Sequence, residues 1–353
     1  MTRFRAKVVP THGVPPVSRT HAPRYRMWRT LACALPVLLL PAPGAAQLPR
    51  PLGPLGAEEG APFQRLGYTP MVEGAVPVPV GTLRVDAWLG YANLFEQDSS
   101  AAHYLYQDME RAITALTLRY GAAEGLEVGG RLTLENDWGG FLDPYIVAFH
   151  SSIGMGDRHR TAFREGRFGA YLRNGAGDTV LELPRHALAL TDVRIFAKWR
   201  MAEKPMGTVA LRTVVRIPTT QPTVGTERAD VGVMALGTWS MAGFHLHGMA
   251  GGATVRRGID TRDLLRSRQW FGMIGLERPF HERRSAVVEL TASTQLLRDV
   301  GDHDIDGAPT NLLFGLVGVT EGGWRWELGM QEDVPPRGPS LDFTLQFALG
   351  WSW

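Results

Sequence analysis

The last thirteen residues, "LDFTLQFALGWSW", constrain the fold most. Leu341, Phe343, Leu345, Phe347, Leu349, Trp351 and Trp353 are apolar, and Asp342, Thr344, Gln346, Ala348, Gly350 and Ser352 lie between them. A period of two is a strand with one apolar and one polar face. A strand this long suits a bilayer crossing, with one face in lipid and the other in a lumen. Such a sheet must close, because an open edge in lipid leaves backbone groups unpaired.

The same alternation recurs upstream. Leu83, Val85, Ala87, Leu89 and Tyr91 share a face, as do Leu126, Val128, Gly130, Leu132 and Leu134. Segments of this kind are predicted near 81–92, 109–120, 125–136, 190–202, 207–218, 229–240, 244–255, 268–278, 285–297, 310–319, 323–332 and 340–353. Alternate connections are short ("GAAE", "AEKP", "MAG", "RPFHER", "TEG"), and the others are mostly longer, up to an insertion at about 137–189. Short turns on one side and long loops on the other are the signature of an outer-membrane barrel. The fold class expected is therefore all-β: a transmembrane antiparallel β-barrel of about 12 strands, monomeric, with a short helix in a long extracellular loop. That topology puts Tyr120, Trp199, Trp239, Trp324, Trp326, Trp351 and Trp353 in an aromatic belt at the periplasmic ends, with Tyr91, Trp270 and Phe343 at the outer ends.

The N-terminus reads as an export signal. From Met27, a basic residue (Arg29) precedes an apolar run from Leu31 to Leu40, then small residues to Ala46. Residues 1–46 are expected to be a signal peptide, with translation starting at Met27. The sole cysteine, Cys33, lies inside it, so the exported part carries no thiol. Seven of the 37 basic residues also fall there, with no acid; the remainder holds 30 basic against 35 acidic residues, a net of about −5. That balance argues against a nucleic-acid partner. Residues 47–80, dense in Pro and Gly, are expected as an irregular periplasmic lead-in to a barrel spanning 81–353.

Inside the insertion, Asp143 before Pro144 is a helix start, and Phe141, Leu142, Tyr145, Ile146 and Phe149 follow at helical spacing. Burying Phe141, Tyr145 and Phe149 would make the insertion a lid over the outer mouth. The stretches "LRYGAAEGLEVGGRL", "GGFLDPYIVAFH" and "LRTVVRIPTT" resemble a bacterial family of outer-membrane barrel-like proteins grouped as domain of unknown function 3187. The resemblance implies a surface barrel and carries over no catalytic residue.

Several constellations carry candidate chemistry. Asp143 and His150 lie two helical turns apart and could form a metal or substrate pair; a cap and an interfacial histidine is the preferred reading. His150 and Ser152, with Asn136 as orienter, could serve a lipid hydrolase at the membrane edge, although nothing in the sequence brings Asn136 to His150. Asp302, Asp304 and Asp306, followed by Gly307, match the first half of a calcium loop, but Leu313 stands where the closing glutamate belongs. A solvated acidic loop is preferred there. Arg158, Arg160, Arg164 and Arg167 could meet lipopolysaccharide phosphates.

The polar faces propose a charged lumen. Arg194, Lys198, Arg200, Arg212 and Arg216 stand on neighbouring strands, and Glu277, Glu289, Glu327 and Asp342 stand on distant ones. Opposed walls would either orient solutes in a water-filled pore or meet as a buried network. His245, His247, Ser293 and Gln295 add uncharged lining, which favours a narrow channel or binding barrel for a small polar or amphipathic solute. An edge hydrolase and a structural or adhesive surface barrel are the alternatives. Expected partners are outer-membrane lipid and lipopolysaccharide, and the barrel assembly machinery through the terminal aromatic strand. The expected location is the bacterial cell outer membrane.

Overall fold

The computed structural model describes residues 48–152, 160–162, 166–219, 229–257, 263–298, 306–334 and 342–353; the expected signal peptide lies outside them. The strands are β1 (Leu83–Ser99), β2 (His103–Ala123), β3 (Leu126–Trp138), β4 (Gly169–Asn174), β5 (Thr179–Glu182), β6 (Ala189–Lys204) and β7 (Gly207–Pro218). They continue with β8 (Asp230–Met241), β9 (Phe244–Thr254), β10 (Arg268–His281), β11 (Arg284–Ser293), β12 (Thr310–Val319), β13 (Arg325–Asp333) and β14 (Phe343–Ser352). Helix α1 covers Asp143–Ser152.

Twelve strands form a closed antiparallel barrel. β3 pairs with β6, and β14 returns to β1 from Arg84 opposite Ser352 to Asn93 opposite Phe343. Closure leaves no barrel edge to solvate. The alternation that defines the strands now has a spatial meaning. Leu116, Leu118, Ile195, Leu328, Leu345 and Phe347 are exposed on the outer wall, and the residues between them are buried inside.

One end carries the short turns. The tightest joins β8 to β9 through Ala242 and Gly243, both at positive φ (46° and 88°), the two-residue turn whose twist suits a hairpin. At the other end β1 and β2 run past the barrel wall. There β4 replaces β3 as the neighbour of β2, with Leu105 opposite Leu172, and β5 extends the sheet by one more strand. Both short strands escaped the sequence reading because six and four residues give too little alternation to register.

The interior departs most from expectation. Residues 48–80 do not form a lead-in outside the barrel; they run through it. Leu55, Ala61, Phe63 and Ala75 are fully buried, and Tyr68 is 1% exposed. The segment folds back on itself, with Glu58 bridged to Met71 and Val72 N donating to Ala57 O at 2.9 Å. It starts beside Glu277 near the short turns. Phe63 reaches a cluster at the long-loop end with Leu105, Leu172, Leu265 and Leu296, and the chain then returns to β1. At the return, Gly81 N donates to Gly121 O at 2.9 Å, and a Cβ on Gly121 would stand 1.9 Å from the Pro79 carbonyl oxygen. Only glycine admits that approach.

Candidate functional site

The luminal hairpin, residues 48–80, has little regular structure, so its backbone groups must find partners elsewhere. The barrel wall supplies them. Leu52 N and Gly53 N donate to the two carboxylate oxygens of Glu277 at 3.0 and 3.1 Å. Leu55 N donates to Glu289 at 2.6 Å, and Gly56 N to Glu327 at 2.7 Å. On the return limb, Ala75 N donates to the Thr238 hydroxyl at 3.2 Å and Val78 N to Glu127 at 3.0 Å. Arg325 closes this end by donating to the carbonyls of Leu52 and Pro54 at 3.0 and 3.1 Å. Glu277, Glu289 and Glu327, on β10, β11 and β13, thus each accept from one or two peptide N–H groups of the hairpin.

The opposite wall is basic, and the hairpin meets it with side-chain carboxylates. Glu58 pairs with Arg131 at 2.7 Å, with Arg65 of the hairpin at 2.9 Å, and with Arg194. Glu73 pairs with Arg119 at 2.6 Å, Arg212 at 2.9 Å and Lys198 at 3.6 Å. These charges are almost fully buried, and each is paired, as burial demands. Register arranges the cations in two rungs. Arg131 lies opposite Arg194 and Arg194 opposite Arg216; four residues further along β6 and β7, Lys198 lies opposite Arg212.

The basic wall also holds acids of its own, which corrects the expectation of carboxylates only on distant strands. Asp192 pairs with Arg194 at 3.0 Å and Arg216 at 3.5 Å, Asp230 with Arg216 at 3.0 Å, and Glu127 with Lys198 at 3.2 Å. Arg200 sits at the short-turn rim and pairs with Glu203 and Glu124. Asp342 lies at the long-loop end, where its carboxylate accepts from Phe95 N at 2.8 Å and from Arg160. His247 bridges Thr238 and Glu277, at 3.1 and 2.9 Å, and His245 bonds Ser240 at 2.8 Å. These residues belong to a packed network, and beside the hairpin lies a small cavity lined by Gln64, Gln269 and Gln331.

A third surface of the lumen is apolar. Met234, Leu236, Met249, Phe271, Met273 and Leu313 point inward from β8 to β12, and Leu55, Tyr68 and Val72 of the hairpin cover them. The polar-in rule for barrel strands hid this stripe, because Met and Leu at inward positions only weaken the alternation.

The insertion sits at the long-loop end. Ala170, Leu172, Leu181 and Leu183 of the β4–β5 region join the cluster around Phe63. Two of the three aromatic residues expected to pack under a lid are not buried, and the side chain of the third, Phe149, lies outside the described residues. Ile146 is buried, whereas Phe141 and Tyr145 are 63% and 67% exposed. The Phe141 ring lies 6.3 Å from Tyr91, which lies 5.4 Å from Trp138. Asp143 pairs with Arg160 and accepts from Asn93 at 3.3 Å. Arg160 is therefore a buried tie between α1, β1 and Asp342, which removes it from a lipopolysaccharide-facing role.

Ser152 is exposed at the end of α1, and the side chain of His150 lies outside the described residues. Asn136 accepts from Leu188 N at 3.1 Å. Asp302 and Asp304, with Arg158 and Arg164, lie outside the described residues; Asp306 is described and half-buried, and Arg167 is exposed. Glu135, Asp137 and His186 bring ligand atoms within 4.8 Å of one another, but Arg65 and Arg111 already hold both carboxylates, at 2.5 and 2.6 Å. His186 Nδ1 stands 3.3 Å from the Asp137 carboxylate.

On the outer wall, Trp199, Trp239, Trp324, Trp353 and Tyr120 are exposed at the short-turn end, with Trp326 and Trp351 half-buried. Trp324 and Trp351 rings lie 4.9 Å apart. Trp270 is exposed at the long-loop end, where Tyr91 and Phe343 are half-buried.

Comparison with known proteins accords with this architecture. The family model described as "Protein of unknown function (DUF3187)" matches residues 31–353. No curated protein matches the chain. Among solved structures, the COG4313 outer membrane channel from Pseudomonas putida F1 is similar with a TM-score of 0.53 at 10% identity, over 79% of this chain and 98% of that one. The NanC porin follows at a TM-score of 0.41 and 8% identity, over 75% and 97%, and the KdgM porin at 0.40 and 6%, over 76% and 99%.

Proposed function

Starting from the fact that the chain belongs to the DUF3187 family, whose description names no activity, we propose that it is a channel of the bacterial cell outer membrane, closed at rest by its own N-terminal hairpin. Porin-like barrel architecture, matched in outline by a solved outer-membrane channel, supports the first half. One observation carries the second. The hairpin is held by the wall through ion pairs at Glu58 and Glu73 and through peptide N–H groups on Glu277, Glu289 and Glu327, contacts that water can replace as the segment leaves.

In this reading the long-loop end faces outward, lipid surrounds the apolar wall, and the exposed tryptophans sit at the two interfaces. Lipopolysaccharide is the partner at the outer end, where exposed Arg167 offers a cation to its phosphates. The terminal strand ending at Trp353 is the element offered to the assembly machinery.

Planar-bilayer recording tests the proposal. The intact chain is expected to be silent or to open rarely, and Glu58→Ala with Glu73→Ala to open in small, frequent steps. A double variant that keeps the heat-modifiable gel mobility of a folded barrel and stays silent would sink the plugged-channel reading. An edge hydrolase predicts instead lipid hydrolysis lost with Ser152→Ala.

A further inference from the structure

The hairpin shows what the lumen is built to hold, and we infer that the solute of this channel is an elongated dianion with an apolar body, such as an α,ω-dicarboxylate. The inference rests on the plugged-channel reading and names the chemistry of its lumen.

Of the cations in the two rungs, most keep a partner on the wall itself. Arg194 keeps Asp192, Arg216 keeps Asp192 and Asp230, and Lys198 keeps Glu127. Arg131 and Arg212 do not. Among the described residues, Glu58 is the only carboxylate paired with Arg131, and Glu73 the only one paired with Arg212. When the hairpin leaves, one guanidinium in each rung loses its counter-charge. The rungs are four residues apart along β6 and β7, which is about 13 Å at strand rise. An anion centre is therefore called for at each of two levels.

Between and beside these levels stands the apolar stripe of Met234, Met249, Phe271, Met273 and Leu313. Water alone wets it at a cost that grows with its area. The hairpin meets both demands together, with carboxylates toward the rungs and Leu55, Tyr68 and Val72 toward the stripe. A replacement must do the same. Small inorganic anions would satisfy the arginines and leave the stripe wet, whereas neutral apolar solutes would do the reverse. Departure of the hairpin also takes Arg65 from Glu135 and Asp192, but each of these keeps a wall arginine, so the charges left without a partner at the rungs are the guanidinium groups of Arg131 and Arg212. Methionine-rich walls suit varied apolar bodies, because thioether side chains adapt in shape.

Isothermal titration of the folded Glu58→Ala/Glu73→Ala barrel in nanodiscs with disodium dodecanedioate tests this. Butanedioate and 1,12-diaminododecane serve as comparators, the second controlling for partition into lipid. Dodecanedioate is expected to bind at least tenfold more tightly than either, and to lose that advantage when Arg131→Gln and Arg212→Gln are added. Equal binding of butanedioate, binding indifferent to the two arginines, or no binding in a variant that conducts would overturn the dianion assignment. Failure of conductance alongside arginine-dependent binding would instead strike the channel reading and leave this assignment standing. If the alanine pair does not fold, Glu58→Gln/Glu73→Gln keeps side-chain volume and answers the same question.

Discussion

Asp192 shows how single residues set the character of the interior. It is fully buried, and it pairs with Arg194, Arg216 and, at 3.5 Å, Arg65 of the hairpin. Removing one member of such a group leaves buried charge uncompensated, which costs about 3–5 kcal/mol. Asp192→Ala is therefore expected to lower the urea midpoint of the folded, heat-modifiable species, with Asp192→Asn between it and the parent. An unchanged midpoint would mean that water reaches these arginines freely. In the sequence Asp192 is one polar residue on an alternating strand. What distinguishes it is the line of guanidinium groups that strand register sets around it.

Among the elements, helix α1 shows period and placement diverging. The change of period after Phe141 located the helix, and Asp143–Pro144 located its start. The same pattern suggested that Phe141 and Tyr145 pack inward, yet Ile146 is the residue buried, and the two aromatic residues stand out beside Tyr91 and Trp138. Periodicity identifies an apolar face without saying whether protein or lipid covers it. Ile146→Asp should detach the helix from its seat and raise chymotrypsin cleavage at Phe141 and Tyr145 roughly tenfold, since a short helix without packing is marginal. Equal cleavage of variant and parent would show that Ile146 does not hold it. β4 and β5 make a related point. Their role comes from pairing with the extension of β2, a long-range partner that no local pattern announces.

For the whole molecule, the decisive feature is a hairpin threaded from the short-turn end. Val76 is exposed there, while Phe63 is fully buried at the opposite end. The sole cysteine, at position 33, falls in the segment read as a signal peptide, so a single introduced cysteine reports on its own site. Val76→Cys is expected to react with a charged maleimide from the short-turn side only. Phe63→Cys is expected to stay unreactive until Glu58 and Glu73 are replaced. Labelling of Phe63→Cys in the otherwise intact chain, from either side, would contradict a seated hairpin.

The sequence by itself determined the barrel. Period-two alternation, alternating connection lengths and aromatic strand ends depend on nearest neighbours and on a two-sided environment, so they stay legible in one dimension. The twelve barrel segments read that way fall within a few residues of the observed strands, apart from the extensions of β1 to Ser99 and of β2 back to His103. The inward charges at Arg194, Arg212, Glu277 and Glu289 were legible for the same reason. Only the tertiary structure decided what those charges face. Residues 48–80 have no period because much of their backbone bonds to wall side chains far along the chain, as Leu52, Gly53, Leu55 and Gly56 do to Glu277, Glu289 and Glu327, more than 200 positions away. A segment held largely by a distant wall looks, in sequence, like a linker.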